Sequence, residues 1–84
     1  MMATAKTKKP SGEMTLDQVD SGGRVRIVRI EAGHGLKNRL TAMGFLAGEP
    51  IVVIRNDHRG QVIIAVKNSK VVLGRGMSHK IFVQ

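Results

Sequence analysis

Polar and apolar residues alternate through Arg24, Val25, Arg26 and Ile27, and this period of two predicts a strand over residues 23–30. The alternation slips at Val28, which predicts a bulge or a sharp bend within that strand. The pattern then changes period. Leu36, Leu40 and Met43 fall at i, i+4 and i+7, the stripe of a helix over residues 36–43, and Gly44 follows as a residue able to end it at positive φ. Apolar runs return around Ile51-Val52-Val53-Ile54 and Val62-Ile63-Ile64-Ala65-Val66, predicting strands over 49–55 and 61–67. Asn, Asp and Gly over 56–60 make the turn between them, and Asn68 with Ser69 reads as a two-residue hairpin turn. Short strands follow over 70–73 and 80–83, with Ile81 and Val83 facing one way and Phe82 the other. Residues 74–79 between them read as irregular.

The start of the chain is less regular. Residues 1–13 show no apolar period and read as a disordered basic tail. Residues 14–20 read as a short N-terminal helix. Thr15 and Gln18 have the spacing of a capping box, Leu16 and Val19 share a face, and Ser21-Gly22-Gly23 ends the segment.

Five short strands and one firm helix predict a mainly β domain, a small barrel over residues 14–84. Closure would remove sheet edges that so short a chain cannot otherwise cover. Both faces of strands 51–54 and 62–66 are apolar. One face fills the barrel; the other needs a cover, and the helix is the available element. A chain of 84 residues holds one domain with a modest core.

Composition narrows the function. Cysteine is absent, which excludes disulfides, thiolate metal sites and a cysteine nucleophile. No apolar run approaches membrane-spanning length, and no apolar stretch follows the basic residues at the start, so a soluble cytoplasmic protein is expected. The net charge is +8, and residues 14–84 carry +6 of it. That field attracts an anionic partner: nucleic acid, an acidic protein face or anionic lipid.

Candidate chemistry is sparse. His34, His58 and His79 have no second ligand at metal-binding spacing, which leaves at most a surface contact with a transition metal through them. Gly33-His34-Gly35 and Gly74-Arg75-Gly76 continue into no phosphate-loop motif and read as turn glycines. Asp17, Asp20, Glu31, Glu49 and Asp57 form no recognisable acid–base pair, so the chain reads as a non-enzyme without a cofactor. Arg24 and Arg26, two apart on a strand, present two guanidinium groups on one face. That face suits phosphates or an acidic protein surface. Phe45 and Phe82 are the only aromatic residues, which counts against single-stranded nucleic acid.

The segment from Leu36 to Gly48 has the pattern L-x-x-R-L-x-x-M-G-F-x-x-G. It resembles the central signature of the ferrous iron transport protein A (FeoA) family. The opening from Leu16 to Gly22 agrees, as does the ending Val72-Leu73-Gly74-Arg75 and Ile81-Phe82-Val83. The resemblance implies an SH3-like five-stranded barrel with a helical insertion between its first two strands. It also implies a small cytosolic accessory protein of bacterial Fe(II) uptake, acting with a membrane permease that carries a cytosolic G-protein domain. The same domain occurs fused to metal-responsive repressors, so fold alone does not fix the role. Beside this reading, Lys37, Arg39, Leu46 and Glu49 are the expected docking residues, with Arg24 and Arg26 as a second face. Leu36, Leu40, Met43 and Phe45 are expected to pack, and Gly44 and Gly48 to shape the turn. A barrel that binds nucleic acid and a metal-sensing module are the competing readings.

Overall fold

Where the alternation is strict, strands form. In the computed structural model, which describes residues 12–84, β1 spans Met14–Thr15, β2 Arg24–Ile30 and β3 Pro50–Asn56. Strand β4 spans Val62–Val66, β5 Ser69–Leu73 and β6 Ile81–Val83. Helix α1 occupies His34–Ala42 between β2 and β3, and the one-turn helix α2 occupies Arg75–Ser78. All pairings are antiparallel, in the order β1-β6-β2-β3-β4-β5.

The slip at Val28 marks where β2 changes partner. Arg24 to Arg26 pair with β3, whereas Ile27 to Ile30 pair with β6, and the register shifts between Ile27 and Arg29. A bulge sharpens the local twist, so one strand serves two differently inclined halves of the sheet.

Three expectations about the architecture change. There are six strands rather than five, because Met14–Thr15 adds to β6; two residues are too few for a periodic signal. The N-terminal helix is a single 3₁₀ turn, Leu16–Gln18, and Thr15 makes no side-chain cap. The end strands β1 and β5 are not paired, so no ladder closes a barrel among the described residues. Of the expected tail, residues 1–11 lie outside the described residues, and Glu13 is ion-paired to Arg29.

The inner faces converge on one core. Ile27, Ile51, Val53, Val62, Ile64, Val66, Leu73, Ile81 and Val83 are buried there, with Leu16, Leu40 and Phe45 from the connecting segments. Each such side chain contributes about 1.5–3 kcal/mol by leaving water.

A polar clamp ties the start of the domain to this core. Asn56 is buried, and its Nδ2 donates to the carbonyls of Asp17 and Val19, both at 2.8 Å. Its Oδ1 accepts the His58 N–H, and its own N–H donates to Ser21 Oγ. The 3₁₀ segment thereby gains partners for backbone carbonyls that have no strand to bond.

Helix α1 sends Leu40 into the core with Leu36 partly buried beside it. It does not cover the outer face of β3 to β5, where Ile54 and Val72 remain 42% and 54% exposed. Met43, expected to pack, is 43% exposed as well. It is the helix C-cap, where the chain already turns away from the stripe.

Candidate docking surface

The signature segment is built around the end of α1. The Gly44 N–H donates to the Thr41 carbonyl and the Phe45 N–H to the Leu40 carbonyl, both at 3.0 Å. This is a Schellman end, and Gly44 supplies its left-handed residue at φ 104°. Its usual apolar contact falls between Leu40 and Phe45, both about 1% exposed. The fold therefore drives Phe45 inward and turns Leu46 outward, 44% exposed.

The turn is then fastened to β2. The Gly48 N–H donates to the Ile27 carbonyl at 2.7 Å, with Gly48 at φ 87°, and the Ile27 N–H donates to Glu49 at 3.0 Å. Arg26 Nη1 donates to the Gly48 carbonyl at 3.0 Å. Glu49 Oε1 accepts from Lys67 Nζ at 3.2 Å. The Arg26 contact makes the signature turn and the basic strand face neighbours, and the Glu49 contact ties the turn to Lys67. Lys37 and Arg39 lie exposed on α1, and among the described residues neither makes a side-chain hydrogen bond or ion pair.

Lys67 was not singled out by sequence reasoning. It lies in the hairpin turn, which comprises Lys67 and Asn68, one residue earlier than expected. Lys67, and not Asn68, takes the left-handed conformation, at φ 55°. For a residue with a Cβ that costs roughly 1–2 kcal/mol. The gain is position: its stem passes over Gly44, so close that a Cβ on Gly44 would stand 3.3 Å from Lys67 Cδ and Cε. The available signal was parity, since residue 67 continues the outward row of Ile63 and Ala65.

Outside the turn, the outer face of the sheet forms an open groove of about 550 Å³ lined by Arg24, Arg26, Pro50, Val52, Ala65 and Lys67. Ladder register puts Arg24, Val52, Ala65 and Lys70 in one cross-strand row. A second row runs through Arg55, Ile63 and Val72. The register shift between Val53 and Arg55 leaves Ile54 and Arg55 both exposed on that side, and returns Asn56 to the interior.

The remaining candidates disperse. Arg29, beyond the bulge, bonds Glu31 and Glu13 at 2.7 Å each and lies over the Phe82 ring at 4.3 Å. Hydrogen bonds donated to Glu31 and then Glu13 raise its pKa above the ordinary guanidinium value. Phe45 is buried and Phe82 is capped by Arg29, so neither ring offers a base-stacking platform. His34 opens α1, His58 stands 2.9 Å from Asp20 Oδ1, and His79 Nδ1 contacts the Arg75 carbonyl at 2.8 Å. No three metal-ligating side chains converge among the described residues.

An antiparallel β domain with a helix inserted between its first two long strands has the architecture of the small SH3-like domains. Within that class the chain belongs to the FeoA domain family, whose model matches residues 14–84. It is 43% identical, over 63 residues, to a Methanocaldococcus jannaschii protein provisionally named Fe(2+) transport protein A; the match covers 75% of this chain and 76% of that one. It is similar to the crystal structure of an iron uptake regulatory protein, FeoA, with a TM-score of 0.79 and 26% identity over 86% of this chain and 96% of the other. A manganese-dependent transcriptional repressor shares the fold, with a TM-score of 0.78 and 19% identity, over 89% of this chain but 42% of the repressor. No helix among the described residues is long and apolar enough to cross a membrane.

Proposed function

We propose that this chain is a cytosolic accessory protein of Fe(II) uptake that acts, without catalysis or a cofactor, by contact with the cytosolic G-protein part of a ferrous iron permease. Family membership and the likeness to an Fe(2+) transport protein A support the iron-uptake role. The observation that carries a contact mechanism is the uncovered basic surface beside the signature turn, where Arg24, Arg26 and Lys67 line one groove and Leu46 stands exposed in the turn. Lys37 and Arg39, exposed on α1, offer further cations to a partner. The absence of a free aromatic ring there argues for protein rather than single-stranded nucleic acid.

The test is binding of the full chain to the isolated permease domain at physiological salt, with GTP and with GDP. Saturable binding is expected. The double reversal K37E/R39E is expected to weaken it on the order of tenfold without altering the fold, because exposed charges act mainly on association. Binding unchanged by that reversal removes α1 from the interface, and no binding to the domain or to the intact permease overturns the proposal.

A further inference from the structure

The outer face of β2 to β5 has a layout that prescribes its occupant. Apolar side chains run down the middle: Val52 and Ala65 in one row, Ile63 and Val72 beside Arg55 in the next, with Ile54 exposed at the bulge. Cations stand at both sides, Arg24 and Arg26 on β2, and Lys67 and Lys70 at the far hairpin. Arg24, Arg55 and Lys70 make no side-chain hydrogen bond or ion pair among the described residues, and Glu49, in the adjoining turn, is already held by Lys67.

A second copy of this chain fits poorly, because two such faces would oppose cation to cation. The segment before residue 12 carries Lys6, Lys8 and Lys9 and is repelled in the same way. Helix α1 lies elsewhere. What fits is negative at its ends and apolar between them.

We infer that this face binds an extended acidic segment of a protein partner, with an apolar side chain on Val52 and Ala65 and carboxylates meeting Arg24 and Lys70. The inference rests on the reading that the chain works by protein contact, and it adds the chemistry of the contact. The dimensions agree. Arg24 and Lys70 are three inter-strand steps apart, roughly 14 Å at ~4.8 Å per step. Two side chains four residues apart on one side of an extended peptide are separated by about 13–14 Å. The segment thus has the form Glu-x-Leu-x-Glu, laid across the strands.

The test uses the ¹⁵N-labelled full chain and three probes: the peptide Glu-Ser-Leu-Ser-Glu, its lysine counterpart Lys-Ser-Leu-Ser-Lys, and a short oligothymidylate. The acidic peptide is expected to shift the amides of Arg24, Val52, Ala65 and Lys70 saturably, and the basic one to leave them unmoved. The variant R24E/K70E, whose sites are exposed, is expected to keep its spectrum and lose on the order of tenfold or more in affinity for the acidic peptide. No saturable shift on this face overturns the inference, as does stronger binding of the oligothymidylate there. The peptide arm contains no permease, so it stands if the permease reading fails. Conversely, permease binding that survives R24E/K70E overturns this assignment and leaves the accessory role intact.

Discussion

Strand β2 carries three arginines, and the bulge at Val28 divides them between two environments. Beyond the bulge, Arg29 is held by two carboxylates and an aromatic ring. Before it, Arg24 has no side-chain partner among the described residues, and Arg26 reaches one carbonyl of the signature turn. Spacing along the strand does not distinguish the three. The change of partner strand does, since it turns one side chain towards β6 and leaves the others over the open groove. The same division extends further: Asn56, Ser21 and the Arg29 cluster tie down one side of the molecule, and on the outer face Arg24, Arg55 and Lys70 have no side-chain partner among the described residues. Charge that is already satisfied holds the fold; charge that is not is available to a partner.

The contrast is broken most strongly across the sheet itself. Ile64→Ala, on the inner face, is expected to cost about 2–5 kcal/mol, by lost burial and a residual cavity. Val72→Thr, on the outer face, is expected to stay within about 0.5 kcal/mol. Urea melts of both variants measure this, and equal losses would show that the outer face packs against something. Next is Asn56→Ala, which strands two carbonyls and an amide; we expect a loss of about 2–3 kcal/mol by the same melts. Asn56→Asp should be worse, because an oxygen would replace the donor between those carbonyls.

A smaller effect is expected at Gly44. An alanine there takes an unfavourable φ and crowds the Lys67 stem, at about 1–2 kcal/mol in thermal or chemical denaturation. The same variant should loosen the Lys67–Glu49 pair, seen as a change in the Lys67 side-chain NMR signals. The smallest effect separates the arginines. Arg29→Ala should lower Tm modestly at low salt and less at high salt, because its partners are exposed and screened. Arg24→Ala should leave Tm unchanged at either salt while weakening acidic-peptide binding. A reversal of those two results would exchange the roles assigned to the halves of β2.

Much of this was legible in the sequence, and the reasons differ by element. The long strands, the helix and the bulge at Val28 announce themselves through local period, because the faces they bury are set residue by residue. The helix-ending role of Gly44 was readable as well, from a glycine placed just after the stripe. Asn56 was not: in sequence it is the first residue of a turn, and its worth lies in carbonyls 37 and 39 positions away. The exposure of Met43 and the left-handed Lys67 escaped likewise, since both follow from how the turn meets the sheet. The bare outer face was misjudged because apolar residues on both sides of a strand do not say which side is covered.

The position of β6 has a consequence for how the molecule comes into being. The last strand in sequence lies between the first two in space, pairing with both β1 and β2. A chain emerging from its N-terminal end therefore carries two strands that await the same neighbour until residues 81–83 have been made. The β3–β4 and β4–β5 hairpins form from neighbouring stretches, but the β6 pairings join residues far apart in sequence, such as Met14 and Val83, and loop-closure entropy is spent before they form. Completion of the sheet by β6 is expected to be the late step, on a timescale of about milliseconds to seconds, as for β domains that depend on long-range pairing.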